Sequence, residues 1–139
     1  KELLHAPGMH PQVMPFEDYG RRYAYTDAWL GRLSRRFGRG SSGEELWGIW
    51  NEYRHGVQFD MWENDLTTAV GLLHYGSKWG REDLQMQGRG MVALSLESPD
   101  VAQGAFPSIF NGHAWEGSFW WSAQRTACDY RTSLSLGAM

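Results

Sequence analysis

Carboxylates and aromatic rings are interleaved in one short stretch of the sequence. Asp60, Glu63 and Asp65 alternate there with Phe59 and Trp62. Aromatic walls exclude water and raise the pKa of a carboxyl group, which keeps it protonated as an acid catalyst of glycoside cleavage requires. The faces of tryptophan rings also stack on sugar rings. The alternative interpretation is structural, because acidic residues around the first turn of a helix are stabilised by the helix dipole.

A second carboxylate lies among aromatic residues farther along, in the segment 104–121. Glu116 is placed between Trp115 and Gly117 and is a further candidate acid. A loop this apolar is buried, covers a ligand or contacts a partner. The alternative is a loop that packs on the helices and leaves Glu116 in solvent. The candidate ligand-binding or partner-binding residues of both stretches are Trp62, Phe106, Phe110, His113, Trp115, Trp120 and Trp121.

The motifs of the commonest enzyme classes are missing. The sequence has no Walker-type nucleotide loop, no GxGxxG after a predicted strand, no HExxH and no GxSxG. His5 and His10 have no thiol or well-spaced carboxylate pair beside them. Cys128 is the only cysteine, which excludes a disulfide within the chain and a zinc site built on cysteines. We therefore predict no metal ion and no cofactor.

The charge balance disfavours a nucleic-acid partner. The 13 Lys and Arg residues face 16 Asp and Glu residues, for a net charge of −3, whereas nucleic-acid binders usually carry a basic face. The one dense basic run, Arg32, Arg35, Arg36 and Arg39, is interpreted as a helix C-terminus. No apolar run approaches the roughly 20 residues that cross a bilayer. The sequence thus predicts a soluble chain without identifying its compartment.

Helices are the elements that the sequence predicts around these groups. Residues 1–14 lack periodicity and are interpreted as an irregular arm. Pro15 suits a first helical position, and apolar residues at helical spacing continue to Phe37. The capping-box pair Ser42 and Glu45 then introduces a short helix whose start, period and stop agree. The apolar face of that helix is Leu46, Ile49, Trp50 and Tyr53.

Two longer helices are predicted next, after a short extended segment at residues 57–63. Asn64 is a good N-cap for the first of them, and Pro99 ends the second. A close helix–helix approach explains Gly88 and Gly90 within the second helix. A final helix is expected to begin near Ser118, and no strand pair is predicted.

The predicted fold class is therefore all-α, with about five helices in antiparallel hairpins joined by long aromatic loops. Residues 15–139 form a single helical domain in this interpretation.

The helices NDLTTAVGLLHYGSKWG and REDLQMQGRGMVALSLES, followed by QGAFPSIFN and WEGSFWW, resemble one hairpin of the six-hairpin (α/α) toroid carbohydrate-active enzymes. That family includes glycoside hydrolases and polysaccharide lyases. Its members often follow a helical hairpin with a Gly-x-Phe-Pro loop and aromatic residues that reach the sugar cleft. The likeness covers about residues 57–125. It implies carbohydrate binding or cleavage, but no catalytic motif of the family matches residue by residue, and a complete toroid needs more helices.

The aromatic content leads to three functional hypotheses. The chain has 8 Trp, 6 Tyr and 6 Phe, and each large aromatic buries roughly 150–250 Å², which is more than a small helical core can hide. The first hypothesis is protein–protein assembly, by self-association or as a subunit of a larger complex. The second is carbohydrate binding or glycoside cleavage. The third is an apolar-ligand pocket rimmed by His74 and Tyr75.

Overall fold

A computed structural model of the chain describes residues 14–53, 55–59, 65–99 and 109–116. Within them, a five-stranded antiparallel sheet packs against a pair of long helices. The fold is mixed α/β, so the prediction of an all-α molecule built from helical hairpins is wrong. The elements are α1 (Phe16–Tyr19), a π-helical turn (Gly20–Ala24), α2 (Leu30–Leu33), β1 (Ser34–Arg39), β2 (Glu45–Asn51), β3 (Gly56–Gln58), α3 (Asp65–Trp79), α4 (Glu82–Leu96), β4 (Ile109–Phe110) and β5 (Trp115–Glu116).

The N-terminal helix predicted from Pro15 to Phe37 is broken into short pieces. The chain makes α1, one π-helical turn and α2, and it becomes extended at Ser34, where φ is −75° and ψ is 128°. From there it runs into β1, which carries three of the four basic residues that were assigned to a helix end, whereas Arg32 lies in the last turn of α2. Arg35 and Arg36 are therefore strand residues, because pairing with β2 outweighs the local helical pattern.

The short helix predicted after Ser42 is a strand, β2. No residue of β2 is exposed, and a strand that is covered at least in part on both faces lacks the apolar–polar alternation that would reveal it. Its aromatic and β-branched residues favour an extended chain. A Cβ at Gly48 would come within 2.5 Å of Val57 Cγ2, so the glycine lets β2 and β3 lie close together. Ser42 therefore lies in a hairpin turn and does not cap a helix.

The segment GRGSSG forms the turn between β1 and β2. Gly38 and Gly43 have φ values of 103° and 84°, in the region that favours glycine. The Glu45 carboxylate, which was assigned to a capping box, instead forms an ion pair with the Arg36 guanidinium on the neighbouring strand, at 2.7 Å. The three glycines of GRGSSG have the spacing GxGxxG, and the segment follows a strand. It leads into a second strand, however, and not into the helix that a nucleotide-binding loop requires.

The two longer helices are present where the sequence predicts them, as α3 and α4. Their axes approach closely at Gly88, where a Cβ would lie 2.8 Å from Leu73 Cγ and 3.1 Å from the Ala69 carbonyl oxygen. Gly90 instead faces the sheet, where a Cβ would lie 2.5 Å from Trp47 Cδ1. The prediction of a close helix–helix approach is thus confirmed at Gly88 and wrong at Gly90, which allows contact with β2.

The core lies between this helix pair and the sheet, in two neighbouring clusters. The first joins α2, α3 and α4, and the second joins β2, β3, α3 and α4. Their buried members are Leu30, Ala69, Leu72, Leu84 and Met91 in the first cluster and Leu46, Val57, Phe59, Leu66 and Leu94 in the second.

Part of the predicted aromatic loop is a small hairpin, β4–β5. Asn111 Oδ1 accepts hydrogen bonds from the backbone N–H groups of His113 at 3.0 Å and Ala114 at 2.8 Å, and Gly112 has a φ of 94°. The pair Asn111 and Gly112 is a common hairpin signal, so the prediction of no strand pair is wrong here. β4 continues the sheet beside β3.

The arm at residues 1–13 and the helix expected near Ser118 lie outside the described residues, and the single-domain assignment stays a prediction. No helix in the described part of the chain has the length and hydropathy of a membrane span.

Candidate functional site

Asp65, one of the candidate acids, is fully buried at the start of α3. Its Oδ1 accepts a hydrogen bond from the backbone N–H of Ile49 at 2.8 Å, which ties α3 to β2. Its Oδ2 has no hydrogen-bond partner within the described residues. Burial raises the pKa of Asp65 to about 8, and the hydrogen bond from Ile49 opposes this increase. The carboxyl group is therefore protonated at neutral pH.

The described residues that precede Asp65 in the chain, Gln58 and Phe59, are closed to solvent. Gln58 is also buried, and neither its Oε1 nor its Nε2 has a partner in the described ranges. Phe59 is buried and packs against Trp115, with ring centroids 5.5 Å apart. A protonated carboxyl group suits acid catalysis, but in this conformation no substrate reaches it. The position of Asp65 fits a structural role at the junction of helix and sheet.

Glu116 lies in solvent on β5. Its Oε1 accepts a hydrogen bond from Nδ2 of Asn111, across the hairpin turn. His113 is exposed at the tip of the same turn. The carboxylates of Glu116 and Asp65 are therefore in opposite environments, one exposed and one buried.

Phe110 and Trp115, candidates for ligand or partner binding, are partly buried and pack on other rings. Phe110 meets Phe37 edge to face at 5.3 Å and Trp115 at 4.9 Å. Both support the second core cluster. The remaining candidates lie outside the described residues: Asp60, Trp62, Glu63, Phe106, Trp120 and Trp121.

The most exposed group of aromatic residues lies instead on the N-terminal segment. Four side chains there are about half exposed, and we name them the N-terminal aromatic surface: Phe16 at 58%, Tyr19 at 47%, Tyr23 at 53% and Trp29 at 57%. The first three form a row, with ring centroids 6.3 Å apart between Phe16 and Tyr19 and 5.6 Å between Tyr19 and Tyr23.

Buried and half-buried aromatic rings hold this segment on α3. Tyr25 packs against Tyr75 at 5.4 Å and against Trp79 at 5.6 Å. Gly20 allows the approach, since a Cβ there would lie 2.9 Å from the Trp79 ring. His74, which the sequence placed with Tyr75 at a pocket rim, is exposed and contacts the Tyr75 ring edge to face at 4.8 Å.

Charged groups add to this anchorage. Glu17 accepts hydrogen bonds from Lys78 Nζ at 2.8 Å and from Trp79 Nε1 at 3.1 Å. The hydrogen bond from Lys78, followed by that from Trp79, lowers the pKa of Glu17 to about 2. The guanidinium of Arg21 lies 4.6 Å from the centre of the Trp79 ring. The exposed rings thus project from a segment that is fixed on the helix below.

A groove opens within the N-terminal aromatic surface. Its volume is about 440 Å³, and its lining residues are Tyr19, Arg22, Tyr23, Thr26, Ala28 and Trp29. The Thr26 hydroxyl donates to the Tyr23 carbonyl oxygen at 2.8 Å, so it is engaged in holding the turn. Arg22 is exposed and forms no ion pair with any carboxylate of the described residues. The groove is therefore aromatic with one available cation.

A second groove, of about 510 Å³, lies between the β1–β2 turn and the pair α3–α4. Glu97 Oε1 closes one side of it by accepting hydrogen bonds from the Ser41 backbone N–H at 2.6 Å and from its hydroxyl at 2.7 Å. Leu96 is the exposed large apolar side chain of its lining. Because no aromatic ring lines it, this groove offers less contact area for stacking.

The sequence interpretation missed the N-terminal aromatic surface because it placed these residues in the apolar period of one long helix. One signal was present. From Glu17 to Asp27, five charged residues alternate with the aromatic ones, which is too many for a segment buried in a core.

No group of three or more His, Cys, Asp or Glu side chains in the described part of the chain could hold a metal ion. Comparison with protein-family models, with curated proteins and with solved structures found no match to this chain. The resemblance to the six-hairpin toroid enzymes therefore stays a prediction.

Proposed function

We propose that this protein acts through protein–protein assembly and that the N-terminal aromatic surface is its contact surface. The observation that carries the proposal is the exposure of four large aromatic side chains on one short segment. If a large aromatic presents roughly 150–250 Å², half of four such side chains amounts to about 400 Å² of exposed ring surface. A standard interface buries about 800 Å² per partner, a little over half of it apolar. The surface thus supplies most of the apolar part of one such interface.

The composition and rigidity of the surface support the same function. Tyrosine, tryptophan and arginine are enriched at interfaces and at their energetic centres. Tyr and Trp side chains lose little conformational entropy on binding, because they have two side-chain torsions. The bonds from Lys78 and Trp79 to Glu17 hold the segment in place before any partner binds, which reduces the cost of ordering it.

The experiment is sedimentation velocity on the purified full chain over a range of concentrations, together with affinity capture of partners. Tyr23→Ser removes a ring at the centre of the surface. Tyr53→Ser is the matched control, because Tyr53 is 81% exposed and lies in the β2–β3 turn. We expect the wild type and the control to form the complex and Tyr23→Ser to lose it. A wild-type chain that stays monomeric and binds no protein would contradict the proposal.

Carbohydrate binding or cleavage is the second candidate function. It is favoured by the pKa of about 8 at Asp65, and by the groove, whose size lies within the range of small-ligand sites. It ranks second because Asp65 is closed to solvent and the groove offers few free polar groups for sugar hydroxyls. Tryptophan fluorescence titrations with a panel of oligosaccharides test it. A saturable change that Trp29→Ala removes would support it, and no change across the panel would exclude it.

A further inference from the structure

Resting on the assembly function proposed above, we infer that the occupant of the N-terminal aromatic surface is a second copy of this chain. The two copies meet about a two-fold axis, with Arg22 of each copy paired to Asp18 of the other. The argument depends on the unpaired charges of the surface, on their spacing and on the self-complementarity that a two-fold interface requires.

Two charged side chains of opposite sign lie unpaired, within the described residues, beside the exposed rings of this surface. Arg21 pairs with Glu17 at 3.6 Å, the separation of four residues at which helical charges normally meet. Asp18 and Arg22 have the same spacing, yet they form no ion pair with each other or with any other described residue. Both side chains are exposed. Asp27, on the same segment, acts on the charge of Arg81, so Asp18 and Arg22 are the anion and the cation beside the exposed rings that are available to another molecule.

A two-fold interface joins the same patch of both copies, so the patch must complement itself. A surface of one charge would repel its own copy. Here the anion and the cation lie on either side of residue 20 along the chain. When two such segments meet antiparallel through their exposed faces, with the axis level with residue 20, each Arg22 comes to the opposite Asp18, and both ion pairs form together. In this register residue 23 lies opposite residue 17, so the Tyr23 ring of each copy comes between the Phe16 and Tyr19 rings of the other.

Two further properties favour a second copy as the occupant. The net charge of the whole chain is only −3, so the repulsion between copies is weak. The roughly 400 Å² of ring surface on each copy matches the apolar share of a standard two-fold interface. A strongly acidic partner would be repelled by Asp18, and a strongly basic partner would be repelled by Arg22.

The experiment uses charge reversal in the full chain. Asp18→Arg and Arg22→Asp each place like charges opposite each other in both pairs of a homodimer. Each variant alone should dimerise about tenfold or more weakly than the wild type. When the two variants are mixed in equal amounts, opposite charges face each other at both pairs again, and a heterodimer should form with an affinity near that of the wild type. Sedimentation equilibrium measures all of these affinities.

Arg89→Glu is the matched control, because Arg89 is another exposed arginine with no ion pair in the described residues, and it lies on α4. It changes the net charge and should leave dimerisation unchanged. Circular dichroism and thermal melting show whether each variant is folded, and an unfolded variant is replaced by Asp18→Lys or Arg22→Glu.

Two results would overturn the inference. One is a wild-type chain that remains monomeric at 100 µM, and the other is a mixture of folded variants that gives no heterodimer. If the wild type is monomeric but binds a different protein, and Tyr23→Ser abolishes that binding, this inference fails and the proposed assembly function is retained. If Tyr23→Ser changes no interaction at all, the assembly function fails as well.

Discussion

Replacing the buried acid Asp65 with asparagine should change how the stability of the protein depends on pH. In the unfolded chain Asp65 loses its proton near pH 4, whereas in the folded chain its pKa is about 8. Between these values the folded state holds one more proton than the unfolded state, so the free energy of unfolding falls as pH rises. The slope from this group is about 1.4 kcal/mol per pH unit, and above pH 8 its contribution is constant.

Asp65→Asn removes this slope while keeping an oxygen that accepts the hydrogen bond from Ile49. Between pH 5 and pH 7 the stability of the variant relative to the wild type should therefore rise by about 3 kcal/mol. This is a large part of the 5–15 kcal/mol that typically holds a domain together, so it is measurable. Taking the difference between the two proteins cancels the titration of all other groups.

The assay is urea unfolding of both proteins at pH 5, 6, 7, 8 and 9, followed by circular dichroism. Leu66→Val is the control, because Leu66 is buried next to Asp65 and has no titratable group. It should lower the whole stability curve without changing its slope. Parallel curves for Asp65→Asn and the wild type would show that Asp65 is ionised in the folded protein, and the reasoning from its burial would be refuted.

Two further substitutions test the packing on which the surface depends. Gly88→Ala should lower the free energy of unfolding, measured with urea, by about 1–3 kcal/mol, because the new Cβ would lie 2.8 Å from Leu73 Cγ. Gly31→Ala is the control, since its Cβ would have no heavy atom within 4 Å and should lower the stability little. Equal effects of the two substitutions would contradict the close approach of α3 and α4. Glu17→Gln should loosen the N-terminal segment and weaken assembly, because it removes the charge that holds Lys78. Wild-type assembly should weaken in the same way as the pH falls from about 4 towards the lowered pKa of Glu17 near 2, where this carboxylate takes up a proton. Concentration-dependent sedimentation checks both, and an unchanged complex would show that Glu17 does not position the surface.

The two long helices could be predicted from the sequence because their signals are local. Asn64 before the first helix, the apolar period and Pro99 after the second all act within a few residues. Gly88 was interpreted as a site of close helix packing, and the contact with Leu73 confirms this. In these two helices the cap residue, the apolar period and the terminating proline all lie within or beside the segment itself, so the prediction agrees with the fold.

The sheet could not be predicted because the apolar residues of β2 imitate a helical period. Leu46, Ile49 and Trp50 fall at helical spacing, yet Ile49 packs on the first core cluster and Leu46 and Trp50 pack on the second. A better guide was the glycine-rich turn before β2, since Gly38 and Gly43 both adopt positive φ. The pair Asn111 and Gly112 carried a comparable signal for the second hairpin.

The candidate site shows the same division between local and tertiary information. The sequence identified Asp65 as a candidate acid with a raised pKa, and its burial produces that shift. Whether a carboxyl group is reachable by a substrate depends on the elements that cover it, and no local pattern reports this. The exposure of the Tyr19 and Tyr23 rings was not predicted for the same reason, because only the fold shows which faces stay uncovered.

Hydrogen exchange of the full chain at low and high protein concentration tests the central claim most directly. It needs no substitution and compares segments within one molecule. Self-association through the N-terminal aromatic surface predicts that amide protection over residues 16–29 increases with concentration, while protection of the turn at residues 40–44 stays constant. Equal exchange over residues 16–29 at both concentrations, in a sample whose sedimentation shows association, would place the contact elsewhere and contradict the claim.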